Sequence, residues 1–416
     1  MAKVVKIEDQ TKCCMCGTPK ERLQGKVISG MYGLICKTCV KKCDDIHKSI
    51  DSKDKPAAKA VEPGKAKKVP SPKEIKAFLD EYVVGQERAK RVLSVAVSSH
   101  YSRVFRQNEI PENHPLFDVE VSKSNVLMVG NTGTGKTLLA QTLARMMDVP
   151  FSISDCTTMT EAGFVGEDVE NALLRLYRNA DCDLARTQVG IIFLDELDKS
   201  AKKGIGGNLT KDPSGEGVQQ ALLKLIEGTM SSVPLQGGRK HPQAETINID
   251  TTNIMFVCGG AFVGLDEIVR QRITGKGILG FGMDESNKKT VVSRVEPEDL
   301  IAYGLIPELV GRLAVTCQLS QLSKADLLRI LVEPKNCLVK QFEKLALIGG
   351  AKLKFNDDAL EEIVKVAMAR TTGARGLRSV VEDVVNPMFF DMEKGQDIVI
   401  TANDVVKAFG GDGMAA

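Results

Sequence analysis

Asn125-Val-Leu-Met-Val-Gly130-Asn-Thr-Gly-Thr-Gly135-Lys136-Thr137 decides the fold of most of this chain. An apolar run of strand length (125–129) enters a Gly-rich turn, and helical spacing follows over 136–147. Gly130 to Thr137 fits GxxxxGK[ST], in the strand–turn–helix setting that the spacing requires. Glycines let the backbone wrap an anion with several N–H groups pointing inward, and the helix N-terminus adds positive potential. On this reading Lys136 reaches the β- and γ-phosphates of ATP, and Thr137 ligates Mg²⁺. The candidate nucleotide contacts are Gly130, Thr132, Gly133, Thr134, Gly135, Lys136, Thr137 and Leu138.

Downstream, Ile191-Ile-Phe-Leu194-Asp195-Glu196 is an apolar run that ends in two acids. Asp195 is placed to hold Mg²⁺ through water, and Glu196 to polarise the attacking water. Together the two motifs indicate nucleotide hydrolysis, a chemistry shared by many motors, switches and transporters.

Around them, apolar strands alternate with helices. Stretches 189–194 and 254–258 are buried runs of strand length, while 166–180 and 215–227 show helical spacing. This alternation predicts an α/β domain with a mainly parallel sheet covered on both faces. After about residue 319 the pattern turns helical, over 324–347, 357–370 and 375–391, which predicts a small, mainly α C-terminal domain. Residues 48–70 hold Pro56, Pro63, Gly64 and Pro70 among many Lys and Ala. Such a segment buries too little to offset chain entropy and reads as a flexible linker. The expected organisation is thus a Cys-rich module at 11–47, a linker at 48–70, a large domain at 71–319 and a small one at 320–412.

Composition narrows the function. Apolar residues are 43% and charged residues 26% of the 416, and no apolar run approaches the length of a membrane span. The N-terminal residues lack the apolar stretch of a signal peptide, so a cytoplasmic protein is expected. A net charge of +2 shows no basic excess of the kind that marks a nucleic-acid binder. The four histidines, His47, His100, His114 and His241, sit in no nucleophile motif, so no protease chemistry is read in this chain.

Six of the 11 cysteines lie within the first 43 residues. Cys13-x-x-Cys16 and Cys36-x-x-Cys39 have the spacing of a closed, structural zinc site, in which each CxxC turn supplies two thiolates to a tetrahedral Zn²⁺. Cys14 and Cys43 are additional thiols nearby. Cys13 and Cys16 are preferred to Cys14 because they alone give the CxxC spacing.

Several longer strings resemble one family, the ClpX unfoldases of the AAA+ class. They are Glu81-Tyr-Val-Val-Gly85-Gln86, Val129 to Thr137, Gly163-Phe-Val-Gly166-Glu-Asp-Val-Glu170, Leu194 to Lys199, Ser214-Gly-Glu-Gly-Val-Gln-Gln220, Gly237-Gly-Arg-Lys-His241-Pro242, Gly304-Leu-Ile-Pro-Glu308 and Thr372-Gly-Ala-Arg-Gly-Leu-Arg378-Ser379. The similarity runs from about residue 11 to 410, apart from the linker and 283–292. It implies an ATPase that unfolds tagged or unstructured proteins and threads them through the pore of a homo-hexamer into a partner Clp peptidase. It also implies chaperone activity without the peptidase, and a zinc module that dimerises and binds substrates or adaptors.

The resemblance also implies residue roles. Val84, Gly85 and Gln86 would lie near adenine. Arg312 would be the arginine finger supplied to a neighbouring subunit, and Arg375 the second sensor of the γ-phosphate. Ala314 stands where the family usually has Pro, which affects the backbone locally. Phe164 and Val165, between Gly163 and Gly166, would be the pore loop. The family normally carries Tyr at the first place, and Phe164 keeps the ring that grips by area. Taken without the resemblance, the same pair reads equally well as core. Arg239, Lys240 and His241 would form a basic collar at the pore mouth, and 203–212 would hold a second pore loop. Leu279, Gly280 and Phe281 would dock into apolar clefts on the peptidase. Two other readings fit a similar core: a nucleic-acid motor, and an ATP-gated assembly chaperone that does not thread its clients.

Overall fold

The computed structural model describes residues 13, 19, 28–30, 33–36, 39–40, 69–106, 109–160, 166–201, 215–235, 245–275, 294–370 and 373–410. Its contacts divide the chain into two units, 1–66 and 67–416. In the first, strands β1 (Ile28–Gly30) and β2 (Gly33–Ile35) pair antiparallel. Cys36 follows β2 directly, and Cys13, Cys36 and Cys39 are buried together.

The second unit begins with helices α1 (Pro72–Asp80) and α2 (Glu87–Arg106). Ser71 and Glu74 form a capping box at the start of α1, and Pro72 supplies the fixed φ suited to a first turn. Then come β3 (Val126–Val129), α3 (Lys136–Met147), β4 (Phe151–Asp155), α4 (Asn171–Asn179), the short α5 (Leu184–Thr187) and β5 (Ile191–Asp195). Helix α6 (Glu216–Glu227) leads into a hairpin of β6 (Met230–Pro234) and β7 (Thr246–Asp250), followed by β8 (Met255–Gly260) and α7 (Leu265–Gly275). Helices α8 (Pro297–Tyr303) and α9 (Pro307–Arg312) precede β9 (Val315–Gln318).

Five strands form one parallel sheet in the order β4-β5-β8-β3-β9. Side chains alternate between its faces, as strand geometry demands. Leu127, Val129, Ile192, Leu194, Phe256 and Cys258 join one core with Val218, Leu222 and Leu309. Val126, Met128, Ile191, Phe193, Met255 and Val257 join the other with Leu93, Leu139 and Leu143. Both faces are dry, which is why these strands read as unbroken apolar runs.

The remainder is α10 (Lys324–Val332), α11 (Leu338–Gly349), α12 (Asp357–Ala369), α13 (Ala374–Phe390) and α14 (Ala402–Gly410) around a third core. The sequence pattern predicts one helix over 324–347, and the structure divides it. Pro334 has no N–H to continue the ladder, and a Cys337-to-Pro334 turn replaces it. Strands β10 (Lys352–Phe355) and β11 (Asp397–Ile400) pair parallel within this part, which is mainly helical as expected.

Candidate functional site

The site lies at the carboxyl ends of β3 and β5. Gly133 and Gly135 take positive φ, +81° and +99°, which lets the loop after β3 curl back on itself. Thr134 donates from both its N–H and its hydroxyl to the Asn131 carbonyl, at 3.3 and 2.8 Å. Gly135 is the N-cap of α3 and carries no side-chain cap, so the first-turn N–H groups of that helix stay available to a ligand. A Cβ placed on Gly135 would meet nothing within 4 Å among the described residues. This open, uncapped cradle fits a phosphate chain.

Lys136 is buried, and its Nζ donates to the carbonyls of Gly130 and Asn131 at 2.5 and 3.2 Å. Burial holds its amine below the usual lysine value; Asp195 and Asp198 oppose the shift, while Arg375 adds to it. Thr137 donates to Asp195 Oδ2 at 3.3 Å, joining the helix start to the end of β5. The other oxygen of Asp195 accepts the Glu196 N–H at 3.0 Å. That bond accompanies an unusual backbone: Glu196 sits in the left-handed region at φ +56° with its side chain exposed. A non-glycine residue there carries strain of about 1–3 kcal/mol, and such positions cluster at functional sites.

A second segment closes on the loop from the C-terminal part of the same unit. Gly373, the N-cap of α13, has φ +62°, and its would-be Cβ is 3.2 Å from the Thr132 carbonyl oxygen. Two residues on, exposed Arg375 contributes to the charge around Lys136. Val84 is buried at the end of the turn after α1. With Gly85, Arg329 and Lys335 it lines a cleft of about 280 Å³. Gln86 is committed elsewhere: its Oε1 accepts from Ser320 N at 2.9 Å and its Nε2 donates to Ser320 O at 2.8 Å. That contact spans 234 positions, so no local pattern announces it.

Arg312 stands apart. It ends α9, is 57% exposed, and its guanidinium pairs with Glu227 at 2.9 Å. Phe164, Val165, Arg239, Lys240, His241, Leu279, Gly280 and Phe281, together with 203–212, lie outside the described residues.

In the N-terminal unit the sulfurs of Cys13, Cys36 and Cys39 all lie within 4.8 Å of one another. The Cys36 N–H donates to Cys13 Sγ at 3.4 Å, a bond that favours a thiolate. Zinc–sulfur bonds of about 2.3 Å in a tetrahedron place sulfurs roughly 3.8 Å apart. The three buried thiols therefore fit three corners of a Zn²⁺ site. Cys16, the fourth expected ligand, lies outside the described residues, as do Cys14, Cys43 and His47.

A five-stranded parallel sheet carrying a phosphate loop on one strand and two acids on another, with a mostly helical domain behind it, defines an ATPase of the AAA+ class. The family model described as AAA domain (Cdc48 subfamily) matches residues 121–316, and the model described as the C-terminal, D2-small domain, of ClpB protein matches 322–405. The protein named ATP-dependent Clp protease ATP-binding subunit ClpX in Treponema denticola is 51% identical over 387 residues, covering 91% of this chain and 89% of that protein. Proteins of the same name in Borrelia duttonii and Borrelia recurrentis are 47% identical over 399 residues, 95% of this chain and 90% of each. The chain belongs to the ClpX family of Clp protease ATP-binding subunits.

Proposed function

We propose that this chain is the ATP-driven unfoldase and translocase of a two-component Clp protease. It grips tagged or unstructured protein tails, pulls them through a homo-hexameric pore and delivers them to a separate peptidase. Hydrolysis of ATP supplies the work, and the chain itself cuts no peptide bond. Lys136 and the loop amides hold the phosphates, while Thr137 and Asp195 would hold Mg²⁺. Glu196, pinned by its left-handed backbone, orients the attacking water. Val84 packs near adenine, and Arg375 answers to the γ-phosphate from the C-terminal part of the chain.

The observation that carries the reading is the position of Arg312. A guanidinium that stabilises a transferring phosphoryl group belongs beside it. Here it is exposed and paired with Glu227 of its own chain. A second copy can receive it, which makes each active site an interface and favours a closed ring. In the same scheme Phe164 and Val165 grip the substrate, and Arg239, Lys240 and His241 collect its tail. Leu279, Gly280 and Phe281 dock on the peptidase, and the zinc module captures substrates or adaptors.

The test is the fluorescence of a stable fluorescent protein bearing a disordered tail, followed with the full chain, Mg²⁺ and ATP. Loss of signal with wild type and none with Glu196→Gln is expected. Robust ATP hydrolysis with no loss of signal across several tails would move the assignment to a non-threading chaperone.

A further inference from the structure

Gln219 lies in α6 within the string Gly215-Glu-Gly-Val-Gln-Gln220, and none of the chemistry above uses it. It is fully buried, and both N–H donors and the carbonyl oxygen of its amide are bonded. Nε2 donates to Ser200 O at 2.8 Å and to Gly304 O at 3.2 Å, while Oε1 accepts from Ile306 N at 2.8 Å. These partners belong to two segments with different tasks. Ser200 closes the turn Leu197–Ser200 that follows Asp195 and Glu196. Gly304 and Ile306 lead into α9, of which Ile306 is the N-cap and Arg312 the last residue.

The far end of α6 is tied to the same helix. Asn125 Nδ2 donates to Ile226 O and to Arg312 O, at 3.4 and 3.2 Å. Glu227 pairs with the Arg312 guanidinium. Helix α6 therefore works as a strut: one end joins the water-orienting segment to the start of α9, and the other holds its finish. Apolar packing of Leu305, Leu309 and Val310 holds α9 against the core but has no fixed direction. A buried amide does, because no water replaces a bond that a slide of α9 would break.

We propose that Gln219 is a positioning residue: it fixes the register of α9, and with it the reach of Arg312, relative to the segment bearing Asp195 and Glu196 of the same chain. The site in its own subunit is held independently, by the Thr137–Asp195 contact and by Asp198, whose carboxylate accepts the Ala261 N–H at 3.2 Å. Gln219 thus acts through a neighbour's active site. This rests on the reading of Arg312 as a finger offered to a neighbour.

The experiment uses full-length chains and the near-isosteric Gln219→Met, with Gln219→Glu as a second variant that keeps the acceptor and loses both donations. A finger displaced by about 1 Å lowers turnover roughly 100-fold. Each variant alone should show that loss with wild-type affinity for ATP. The variant is then mixed in equal amounts with Glu196→Gln chains, which have an intact finger and a dead site. Random assembly in a head-to-tail ring pairs an intact site with a good finger at about one interface in four, so activity should return to about a quarter of wild type. A parallel mixture of Arg312→Ala with Glu196→Gln tests the finger itself. If that control regains activity and the Gln219 mixture does not, Gln219 acts within its own site or on folding, and the proposal is wrong. If the control fails as well, the neighbour-finger reading falls and takes this inference with it. Full turnover by Gln219→Met alone would also overturn it.

Discussion

Gly373→Ala is the sharpest test of how the C-terminal part contributes to the nucleotide site. Gly373 sits at φ +62°, ψ −147°, at the border of a region held almost solely by glycine. A side chain there costs about 1–3 kcal/mol from backbone strain. Its Cβ would also lie 3.2 Å from the Thr132 oxygen and 3.5 Å from Gly133 Cα, tighter than an ordinary contact at the first of these. Helix α13 is anchored by Leu377, Val380, Val381 and Val384 in the third core, so the turn must yield before the helix does. Relief of the strain lifts residue 373, and Arg375 behind it, off the phosphate loop.

If the whole penalty falls on the ATP-bound state, affinity drops roughly 5- to 140-fold, at about 1.4 kcal/mol per factor of ten. Titration of the full chain with a fluorescent ATP analogue measures this. Gly395→Ala is the control: Gly395 has φ +85° and nothing among the described residues within 4 Å of its would-be Cβ, so it should lose stability and keep its affinity. ATP affinity within about twofold of wild type for Gly373→Ala, alongside a comparable stability loss, would refute the argument that this turn braces the phosphate loop.

Lys136→Met removes the buried cation and should weaken ATP binding by on the order of 100-fold or more, read by the same titration. Cys36→Ser removes one thiolate ligand while leaving the backbone N–H that donates to Cys13 Sγ, and should abolish one equivalent of bound zinc in metal analysis while ATP hydrolysis persists. Asn125→Ala leaves the Phe256 N–H without the side-chain oxygen that it meets at 3.3 Å; a loss of about 1–3 kcal/mol is expected in denaturant unfolding. Burial pushes the His100 imidazole down to about 3 from an ordinary 6.5. The native state stays neutral while the unfolded chain takes up a proton below pH 6.5. Stability is therefore full above that pH and falls between 6.5 and about 3, by up to about 1.4 kcal/mol per pH unit. His100→Gln should flatten this limb between about pH 6.5 and 5.

The phosphate loop was legible because its parts are neighbours in sequence: an apolar run, a glycine turn and a lysine before a helix. The helix expected at 136–147 is the helix observed. Central strands were legible because burial on both faces removes polar residues from them. Edge strand β4, Phe-Ser-Ile-Ser-Asp, exposes Ile153 and buries Ser152 and Ser154, so its pattern carries no such signal. What the sequence concealed is held by distant partners. Arg312 meets Glu227 across 85 positions, and Gln219 meets Ile306 across 87. A repeated Gln-Gln on a helix looks like a solvated face until the structure shows Gln219 buried.

The geometry divides affinity from turnover. Lys136, the uncapped start of α3 and the Gly373 turn lie around one phosphate cradle within a single chain, so under the proposed mechanism the phosphate contacts come from that chain itself. Arg312 lies on a different element, exposed and held by Glu227, and under the proposed mechanism contributes only when phosphoryl charge develops in a second copy. Changes on the two sides should then separate. Arg312→Ala should lower kcat by about 1,000-fold or more with little change in the affinity of the isolated chain for ATP. Gly373→Ala should chiefly weaken binding. Glu227→Gln supplies the intermediate case, because it frees the guanidinium from its intrachain partner without removing it. If Arg312 leaves Glu227 to reach a neighbour's phosphate, that variant should keep most of its turnover. A collapse of kcat equal to that of Arg312→Ala would instead mean that the Glu227 pair is itself the working arrangement, with the finger presented by Glu227 rather than parked on it.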